Sequence, residues 1–529
     1  VRERYRRLSD LAKKMDFGAL DENIVVIDTE TTGFSFNHDE LTQIAAARME
    51  HGEVVDWYVT FVNPGKPIPD DVAHLTNIHD EDVGDAPSPD EALAGLVEFA
   101  RDAKMVAHNA EFDRTFTTRH PSGYPLLDNI WIDSLDLARI ALPRMRSHRL
   151  IDLVKAFGAP TSTHRADDDV AATCALFRIL LAAVHEMPPA LVKCIALLAP
   201  VEQWNTAVVF QHFAQPEAKP FSLKELRHES MTSYERRPRI DAKMIQTMEY
   251  PTAEDIAQAF SPTGIVGKLY VDFDPREEQL TMAQEVRAAL EASENLIVEA
   301  GTGVGKSMAY LVPAVLMAKK NNIAIGVATK TNALLDQLVY HELPALAQSL
   351  GDVTYAPLKG FSHYPCLRKV NRFVKEGVKM VDVQGTEHSQ APSLGALLSF
   401  IDQTDYDDMD SLKMDYRVVP RRAVTTTSHD CLRRKCPFYG TTCFVHGARR
   451  FAETADVVVT NHTLLFCDAA ADNGLLPPVR HWILDEAHGA EAEARRAFSL
   501  EIAAEDVTRL AQKVASGESR NVYARAERK

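Results

Sequence analysis

The chain has 529 residues and a mass of 58.8 kDa, which suits about two to four domains. Apolar residues make up 46% and charged residues 25%, so the chain is not disordered as a whole, and no apolar run is long enough to predict a membrane span. The net charge of −17 argues against a surface that binds polyanions everywhere, although it allows a local basic groove.

The N-terminal part of the sequence predicts an α/β region with a mixed sheet. Residues 1–7 lack the apolar core of a secretory signal, so we expect a cytoplasmic location. An apolar run at 23–27 predicts a buried strand, and His51-Gly52 predicts the turn of a hairpin between 41–49 and 54–62. The remaining predicted elements are a helix over 89–100, a strand over 105–107 and a helix over 167–184.

A second α/β region follows a proline-containing connector. A strand is predicted at 295–298, a glycine-rich turn comes next, and a helix is predicted over 307–319. Further strands are predicted at 323–328, 455–460 and 482–484. The predicted divisions are a basic extension (1–20), the first α/β region (21–185), the connector (186–262), the second region (263–355 and 451–490), a cysteine-bearing insertion (356–450) and a charged helical end (491–529).

Carboxylates mark the first candidate site. Asp28 and Glu30 lie two residues apart on a predicted strand, so both side chains project from one face. Crowded carboxylates favour hard divalent cations such as Mg²⁺ or Mn²⁺, whereas the pair alone could also be a solvated strand end. Asp113, in the stretch that begins at His108, is predicted on a helix, and Asp169 opens another helix.

These motifs resemble the DEDDh family of 3′→5′ exonucleases, which have a DnaQ-like, RNase H-like fold. The matching segments are Asp28-Thr29-Glu30-Thr31-Thr32-Gly33, His108 to Asp113, and His164 with four residues before Asp169. The resemblance covers about residues 21–185. It implies that Asp28, Glu30, Asp113 and Asp169 hold two metal ions and that His164 is the general base.

The resemblance also indicates which of several neighbouring residues belong to the site. The family spacing selects Asp169, so Asp167 and Asp168 are interpreted as solvated acids at the start of a helix. His108 is expected to be structural. Asn77 replaces the glycine of a family loop, a mild change because asparagine tolerates left-handed backbone.

A phosphate-binding loop marks the second candidate site. Residues 300–307 match a P-loop between a predicted strand and a predicted helix. Lys306 would reach the phosphates of ATP, and Ser307 and Asp485 would hold Mg²⁺, while Glu486 would polarise the attacking water. The nucleotide-binding residues predicted for this site are Gly301, Thr302, Gly303, Gly305, Lys306, Ser307, Arg276 and Gln279.

The order of these motifs resembles superfamily two helicases with a DEAH box. Arg276 and Gln279 look like that family's adenine-contacting motif, and Thr329-Lys330-Thr331 looks like the strand end that contacts a nucleic-acid backbone. The resemblance implies a RecA-like ATP-binding domain.

Cysteines mark the third candidate site. Cys431, Cys436 and Cys443 are separated by four and six residues, and Cys366 precedes them. Four thiolates suit either tetrahedral zinc or a 4Fe–4S cluster, and the spacing does not separate the two. Their position between the phosphate loop and the DEAH box resembles the XPD/DinG helicases, in which such cysteines hold a 4Fe–4S cluster. The other three cysteines, Cys174, Cys194 and Cys467, are interpreted as ordinary thiols.

Basic residues surround this cluster. Arg433, Arg434, Lys435, Arg449 and Arg450 would form either a solvated loop or an edge that tracks the phosphates of a single strand. Phe438 and Tyr439 would either stack on bases or belong to a core.

The whole arrangement is similar to the bacterial DinG helicases that carry an N-terminal exonuclease. This resemblance implies a DNA repair or replication enzyme that acts on single-stranded or forked DNA, with RNA not excluded, and a helicase of 5′→3′ polarity. About forty residues follow the DEAH box, so we expect a truncated helicase that binds ATP and does not unwind DNA. Two alternatives remain: an ATP-independent nuclease whose helicase-like half only binds nucleic acid, and a non-catalytic scaffold.

Overall fold

The structure is a computed structural model that describes residues 2–159, 165–230, 238–428, 430–440, 442–471 and 475–499, together with 504, 507, 508 and 511. The chain forms two compact units. The first unit combines Val1–Ser233 with Phe361–Phe444, and the second combines Tyr234–Gly360 with Val445–Lys529.

The described strands are short and belong to three sheets. In chain order they are β1 (Ile24–Thr31), β2 (Leu41–Glu50), β3 (Glu53–Phe61), β4 (Lys104–Ala107), β5 (Trp131–Asp133), β6 (Ile325–Thr329), β7 (Tyr355–Pro357), β8 (Met380–Val383), β9 (Thr386–Ser389), β10 (Val457–Asn461) and β11 (Trp482–Leu484).

The described helices alternate with these strands. Those up to the connector are α1 (Arg2–Lys14), α2 (Asp70–Thr76), α3 (Asp80–Val83), α4 (Pro89–Ala100), α5 (Ala110–Thr117), α6 (Ser134–Ala141), α7 (Leu150–Phe157), α8 (Ala166–His185), α9 (Pro189–Ala196), α10 (Ala207–Phe213) and α11 (Leu223–Ser230). The later ones are α12 (Ala253–Ala259), α13 (Glu277–Ala292), α14 (Lys306–Asn321), α15 (Asn332–Gln337), α16 (Leu343–Leu350), α17 (Leu367–Glu376), α18 (Ala391–Gln403), α19 (Arg421–Val424), α20 (Phe444–Ala452), α21 (His462–Ala470) and α22 (Ala490–Ala497).

The first unit is built on a five-stranded mixed sheet with the order β3-β2-β1-β4-β5. The central strand β1 pairs with β2 antiparallel and with β4 parallel. The predicted hairpin is present, because His51 and Gly52 take the positive φ angles of 50° and 82° that a two-residue turn requires. Helix α8 packs on β1 and β2, whereas α4 packs against β2 and β3, and this arrangement buries the apolar residues of β1.

Local signals explain where the helices begin. Ser88 caps α4 in a capping box with Glu91, and Pro89 occupies the first turn, where its missing N–H costs nothing. Asp133 caps α6 by accepting hydrogen bonds from the backbone of Leu135 and Asp136. The short strand β5, which ends at this cap, was not predicted from the sequence.

The second unit contains a parallel sheet with the order β11-β6-β10-β7. The prediction of a strand at 295–298 is wrong in this structure, since no hydrogen-bonded strand lies there. Ile297 is 96% exposed, and no described strand pairs with this run. An apolar composition alone does not hold an extended segment in a sheet without a hydrogen-bonded partner.

The two units do not coincide with the predicted divisions. Helix α1 packs on α7 and α8, so the basic extension is part of the first unit. Helices α9, α10 and α11 of the predicted connector also belong to it, and so does the cysteine-bearing segment Phe361–Phe444. The reason is helix packing: α18 lies against α6, α9 and α11.

The length and composition of the helices were compared with what a membrane span requires. None of the described helices is by itself long and apolar enough to cross a bilayer. Helices α8 and α9 reach that length only together, and they are bent by 114° where they meet.

The contact between α18 and α6 predicts a stability effect. Gly395 is buried in α18, and a Cβ atom at this position would lie 3.2 Å from Cδ1 of Ile140 in α6. We expect Gly395→Val to destabilise the first unit by about 1–3 kcal/mol through overpacking, as measured by thermal or urea unfolding.

The control for this test is a compensating change. Ile140→Val removes the methyl group that the new side chain would meet, so the double variant should recover part of the loss. An unfolding midpoint of Gly395→Val equal to that of the wild type would contradict the tight packing.

Candidate functional site

Strand β1 carries two carboxylates at its C-terminal end. Ile24 to Ile27 are buried, and Asp28 and Glu30 follow them with half-buried side chains. The alternation of a strand directs both carboxylates to one face. Thr29, between them, is buried and donates from its Oγ1 to Oδ1 of Asp113 at 2.9 Å.

Asp169 completes a group of three carboxylates. It lies in the first turn of α8, which packs on β1. Oxygen atoms of Asp28, Glu30 and Asp169 all lie within 4.8 Å of one another, a spacing that suits a divalent cation. Asp169 is buried, whereas Asp167 is half-buried and lies 3.4 Å from the Arg165 guanidinium.

Asp113 stands beside this group on α5. Its side chain is buried, and burial raises its pKa to about 7. Burial also raises the pKa of Asp28, and the neighbouring charges of Asp113, Glu30 and Asp169 add to that effect. The structure therefore gathers all four predicted acidic residues, although Asp113 is not among the three whose oxygens are closest together.

Two predicted histidines differ in what the structure describes. His164 lies outside the described residues, so its role stays a prediction. His108 is half-buried, with Nδ1 2.9 Å from Oγ of Ser134 and Nε2 2.9 Å from the carbonyl oxygen of His148. Desolvation lowers the pKa of His108 to about 4, so the ring is neutral and donates from Nε2, an arrangement in keeping with the structural role expected for it.

Exposed aromatic rings lie in the loop that follows β1, and they were not predicted from the sequence as site residues. Phe34 is 82% exposed and Phe36 is 41% exposed. Their ring centroids lie 6.3 Å and 6.0 Å from that of Phe112, which directly precedes Asp113 in the sequence. The signal available in the sequence was a pair of aromatic residues directly after the acidic motif.

The phosphate loop lies at the start of α14 in the second unit. Gly303 and Gly305 have φ angles of 82° and 83°, a left-handed conformation that glycine adopts without strain. Arg276 donates to the carbonyl of Gly303, and Nε2 of Gln279 donates to that of Gly305 at 2.8 Å. The residues predicted to contact adenine therefore hold the loop itself in this structure.

Acidic and basic groups meet across this loop. Nζ of Lys306 lies 3.3 Å from Oε1 of Glu486, and the other carboxylate oxygen of Glu486 lies 3.3 Å from Nδ1 of His488. Nε2 of His488 is in turn 3.0 Å from Nζ of Lys330. Asp485 is adjacent, and its pKa is raised by burial and by the charge of Glu486. One chain of polar contacts thus joins the phosphate loop to the end of β6.

The cysteine-bearing segment belongs to the first unit. Cys366, Cys431, Cys436 and Cys443 are half-buried. Burial raises the pKa of the Cys436 thiol, and the nearby thiols of Cys366 and Cys431 raise it further, so these three converge. Among the described residues, no three cysteine sulfurs lie within 4.8 Å of one another, whereas a tetrahedral zinc ion holds its sulfurs about 3.8 Å apart.

The basic residues near the cysteines are divided between the two units. Arg433, Arg434 and Lys435 are exposed in the first unit, whereas Arg449 and Arg450 belong to the second. Phe438 is buried, which favours a core role, and Tyr439 is 42% exposed. Only Tyr439 of this pair is accessible to a base.

Comparison with known proteins identifies the first region. Residues 25–177 match the family model described as Exonuclease. An exonuclease domain is present in the chain. Its RNase H-like fold of mixed α/β content agrees with the fold predicted for this region.

Relatives match a larger part of the chain. It is 29% identical over 492 residues to the 3'-5' exonuclease DinG of Bacillus subtilis, which covers 89% of this chain and 50% of that protein. It is 38% identical over 257 residues to the ATP-dependent helicase DinG of Mycobacterium tuberculosis, which covers 44% of this chain and 38% of that protein. The chain thus spans about half the length, or less, of the curated relatives it matches.

A solved structure of exonuclease X in complex with 5' overhanging duplex DNA is also similar. It is 26% identical, with a TM-score of 0.25, and the match covers 30% of this chain and 90% of that one.

The raised pKa values predict how stability depends on pH without metal. Burial and the charges of Asp169 and Asp113 raise the pKa of Glu30 to about 8, and that of Asp113 is about 7. The native state therefore keeps protons that the unfolded chain has already lost near neutral pH, and stability falls as the pH rises. We expect the Tm of metal-free protein to fall between about pH 6 and pH 8, and Mn²⁺ to remove most of that fall.

Glu30→Gln is the matched control for this measurement, because its amide binds no proton in this range. Its Tm should depend less on pH than that of the wild type. A wild-type Tm that rises with pH in the metal-free protein would contradict the raised pKa values.

Proposed function

We propose that this chain is a metal-dependent 3′→5′ exonuclease that acts on single-stranded DNA, joined to a nucleotide-binding module of the DinG/XPD helicase type. The observation that supports the nuclease most directly is the grouping of Asp28, Glu30 and Asp169, with Asp113 beside them. The exonuclease domain and the relatives named as 3'-5' exonucleases support the same reaction.

The residues of the site fit two divalent cations. Four carboxylates concentrate negative charge that protons or cations must offset, as the raised pKa values of Asp28, Glu30 and Asp113 indicate. Bound metal ions would activate the attacking water and stabilise the leaving 3′ oxygen. Thr29 holds the carboxylate of Asp113 in place, and His164 would accept the proton of the water.

The exposed aromatic rings supply a binding element for the strand. Phe34 and Phe36 present apolar faces next to the carboxylates, and any base can stack on such a face without sequence preference. They would place the terminal nucleotide over the metal ions. This arrangement suits an enzyme that removes nucleotides irrespective of sequence.

We further propose that the second unit is a RecA-like domain that binds ATP with Mg²⁺. Its parallel sheet, the left-handed glycines of the phosphate loop and Lys306 support this assignment. Nucleotide phosphates would compete with Glu486 for the ammonium of Lys306. Release of Glu486 would alter its contact with His488. That change would in turn alter the contact of His488 with Lys330, which follows β6 at the strand end proposed to contact nucleic acid.

For the cysteines we propose a 4Fe–4S cluster held by Cys366, Cys431, Cys436 and Cys443. The thiols of Cys366 and Cys431 lie near that of Cys436, and the position of the four cysteines between the phosphate loop and the DEAH box resembles the helicases that hold such a cluster. Stoichiometric zinc without iron in anaerobically purified protein would favour the zinc alternative.

The nuclease proposal predicts a large loss of activity on removal of one ligand. Asp28→Ala should lower the rate on a 5′-labelled single strand by orders of magnitude, because it disturbs the geometry of both metal sites. Asp167→Asn is the control, since Asp167 lies outside the carboxylate group and should leave the rate close to that of the wild type. Unchanged digestion by the Asp28→Ala protein would refute the assignment.

The nucleotide-binding proposal predicts independence of the two sites. Lys306→Ala should weaken the binding of a fluorescent ATP analogue at least tenfold, because it removes the cation that faces the phosphates. Lys319→Ala is the control, because Lys319 lies in the last turn of α14 and donates to the carbonyl of Gly351, so this variant should bind the analogue like the wild type. Both variants should digest single strands without ATP at the wild-type rate, and a loss of digestion in Lys306→Ala would contradict this separation.

A further inference from the structure

Arg227 lies on α11 of the first unit, and its side chain is completely buried. Its guanidinium donates to backbone carbonyls from two distant segments. One Nη atom donates to Ile401 at 3.1 Å and to Thr404 at 2.5 Å, at the end of α18, and the other donates to Asp405. Nε donates to the carbonyl of Thr442 at 3.4 Å.

The same guanidinium also stacks on aromatic rings. It lies 4.2 Å from the ring centroid of Phe444 and 5.6 Å from that of Tyr406. Thr442 and Phe444 are the two neighbours of Cys443 in the sequence. One arginine therefore holds the backbone before Cys443 and the side chain after it.

We propose that Arg227 is the positioning residue for Cys443: it fixes the backbone before this thiol and the side chain after it, and so holds the thiol for metal binding. The inference rests on the proposed cysteine site and deepens it. Groups that hold the ligands of a metal site without touching the metal typically change metal affinity by about 10–100-fold when they are removed.

The chemistry requires arginine at this position. The planar fork of the guanidinium reaches carbonyls on both segments at once and presents a flat face to Phe444. A lysine ammonium is a single point with three donors, so it cannot span Thr442 and Asp405 together and does not stack. Arg227→Lys therefore keeps the positive charge and loses the geometry.

Arg178 provides a matched control in the same unit. It is largely buried, donates to the carbonyls of Ala12 and Met15 at 2.8 Å each, and lies over the ring of Phe17 at 5.1 Å. It also pairs with Asp21, and the residues it contacts do not adjoin any of the four candidate cysteine ligands. Arg178→Lys should lower the thermal stability of the unit without affecting the cysteines.

The test compares the 529-residue wild type, Arg227→Lys and Arg178→Lys, each purified without oxygen. Iron, sulfide and zinc content, the rate of metal release to a chelator, and thermal unfolding are measured on each protein. We expect Arg227→Lys to release its metal about tenfold faster or more, whereas Arg178→Lys releases it at the wild-type rate. Phe444→Leu keeps an apolar side chain but removes the face on which Arg227 stacks, so this variant should also release metal faster than the wild type. It decides the question if Arg227→Lys does not fold.

The outcomes separate two failures. A wild-type protein that contains neither iron nor zinc would refute the cysteine site and with it this inference. A metal-containing wild type whose release rate is unchanged in Arg227→Lys and Phe444→Leu would refute the role of Arg227 alone. Equal acceleration in Arg227→Lys and Arg178→Lys would show a general loss of stability and would also overturn it.

Discussion

The constraint on which the first unit depends is the crowding of four carboxylates at the end of β1. Asp28 and Glu30 lie in the second half of β1, after residues that are buried, so solvent offsets little of their charge. Like charges held this close raise the free energy of the native state unless protons or cations occupy the site. The fold maintains the arrangement because β1 is the central strand, with paired neighbours on both sides. A strand at the edge of the sheet would have fewer contacts with which to offset that cost.

In the second unit the main charge of the site is paired with an opposite one. Nζ of Lys306, in the phosphate loop, lies 3.3 Å from the carboxylate of Glu486. The pair is one-third exposed on each side, so its own contribution to stability is small. A nucleotide could therefore replace Glu486 at little cost. The four carboxylates need protons or cations to offset their charge, whereas the ammonium of Lys306 already faces a carboxylate.

Much of the carboxylate site could be predicted from the sequence, because the patterns that indicate it lie within a few neighbouring residues. Alternation placed Asp28 and Glu30 on one face of a strand, and His51-Gly52 marked the hairpin turn. The prediction of a strand at 295–298 was wrong because it depended on a distant part of the chain. Whether an apolar run becomes a strand depends on a partner strand, and a sequence pattern does not report which partner is available.

The most consequential difference concerns long-range packing. Residues 361–444 are separated in sequence from the carboxylates by most of the segment that carries the phosphate loop, so sequence order predicted an insertion (356–450) within the second α/β region. The structure instead buries α18 against α6 and α9, with Gly395 close to Ile140 and Ile195. Sequence periodicity identifies the apolar face of each helix but does not specify which faces meet.

This packing has a consequence for how the two activities are related. Helix α6 packs on α8, which carries Asp169, and α6 also packs on α18, whose end is held by Arg227. The cysteine-bearing segment and the nuclease carboxylates are therefore parts of one core, in which a loss of packing at one place reduces the support at the other. The phosphate loop belongs to the second unit, which has its own core of buried residues around α14. On this arrangement a change in the packing around the cysteines would reach the carboxylates through the core that they share.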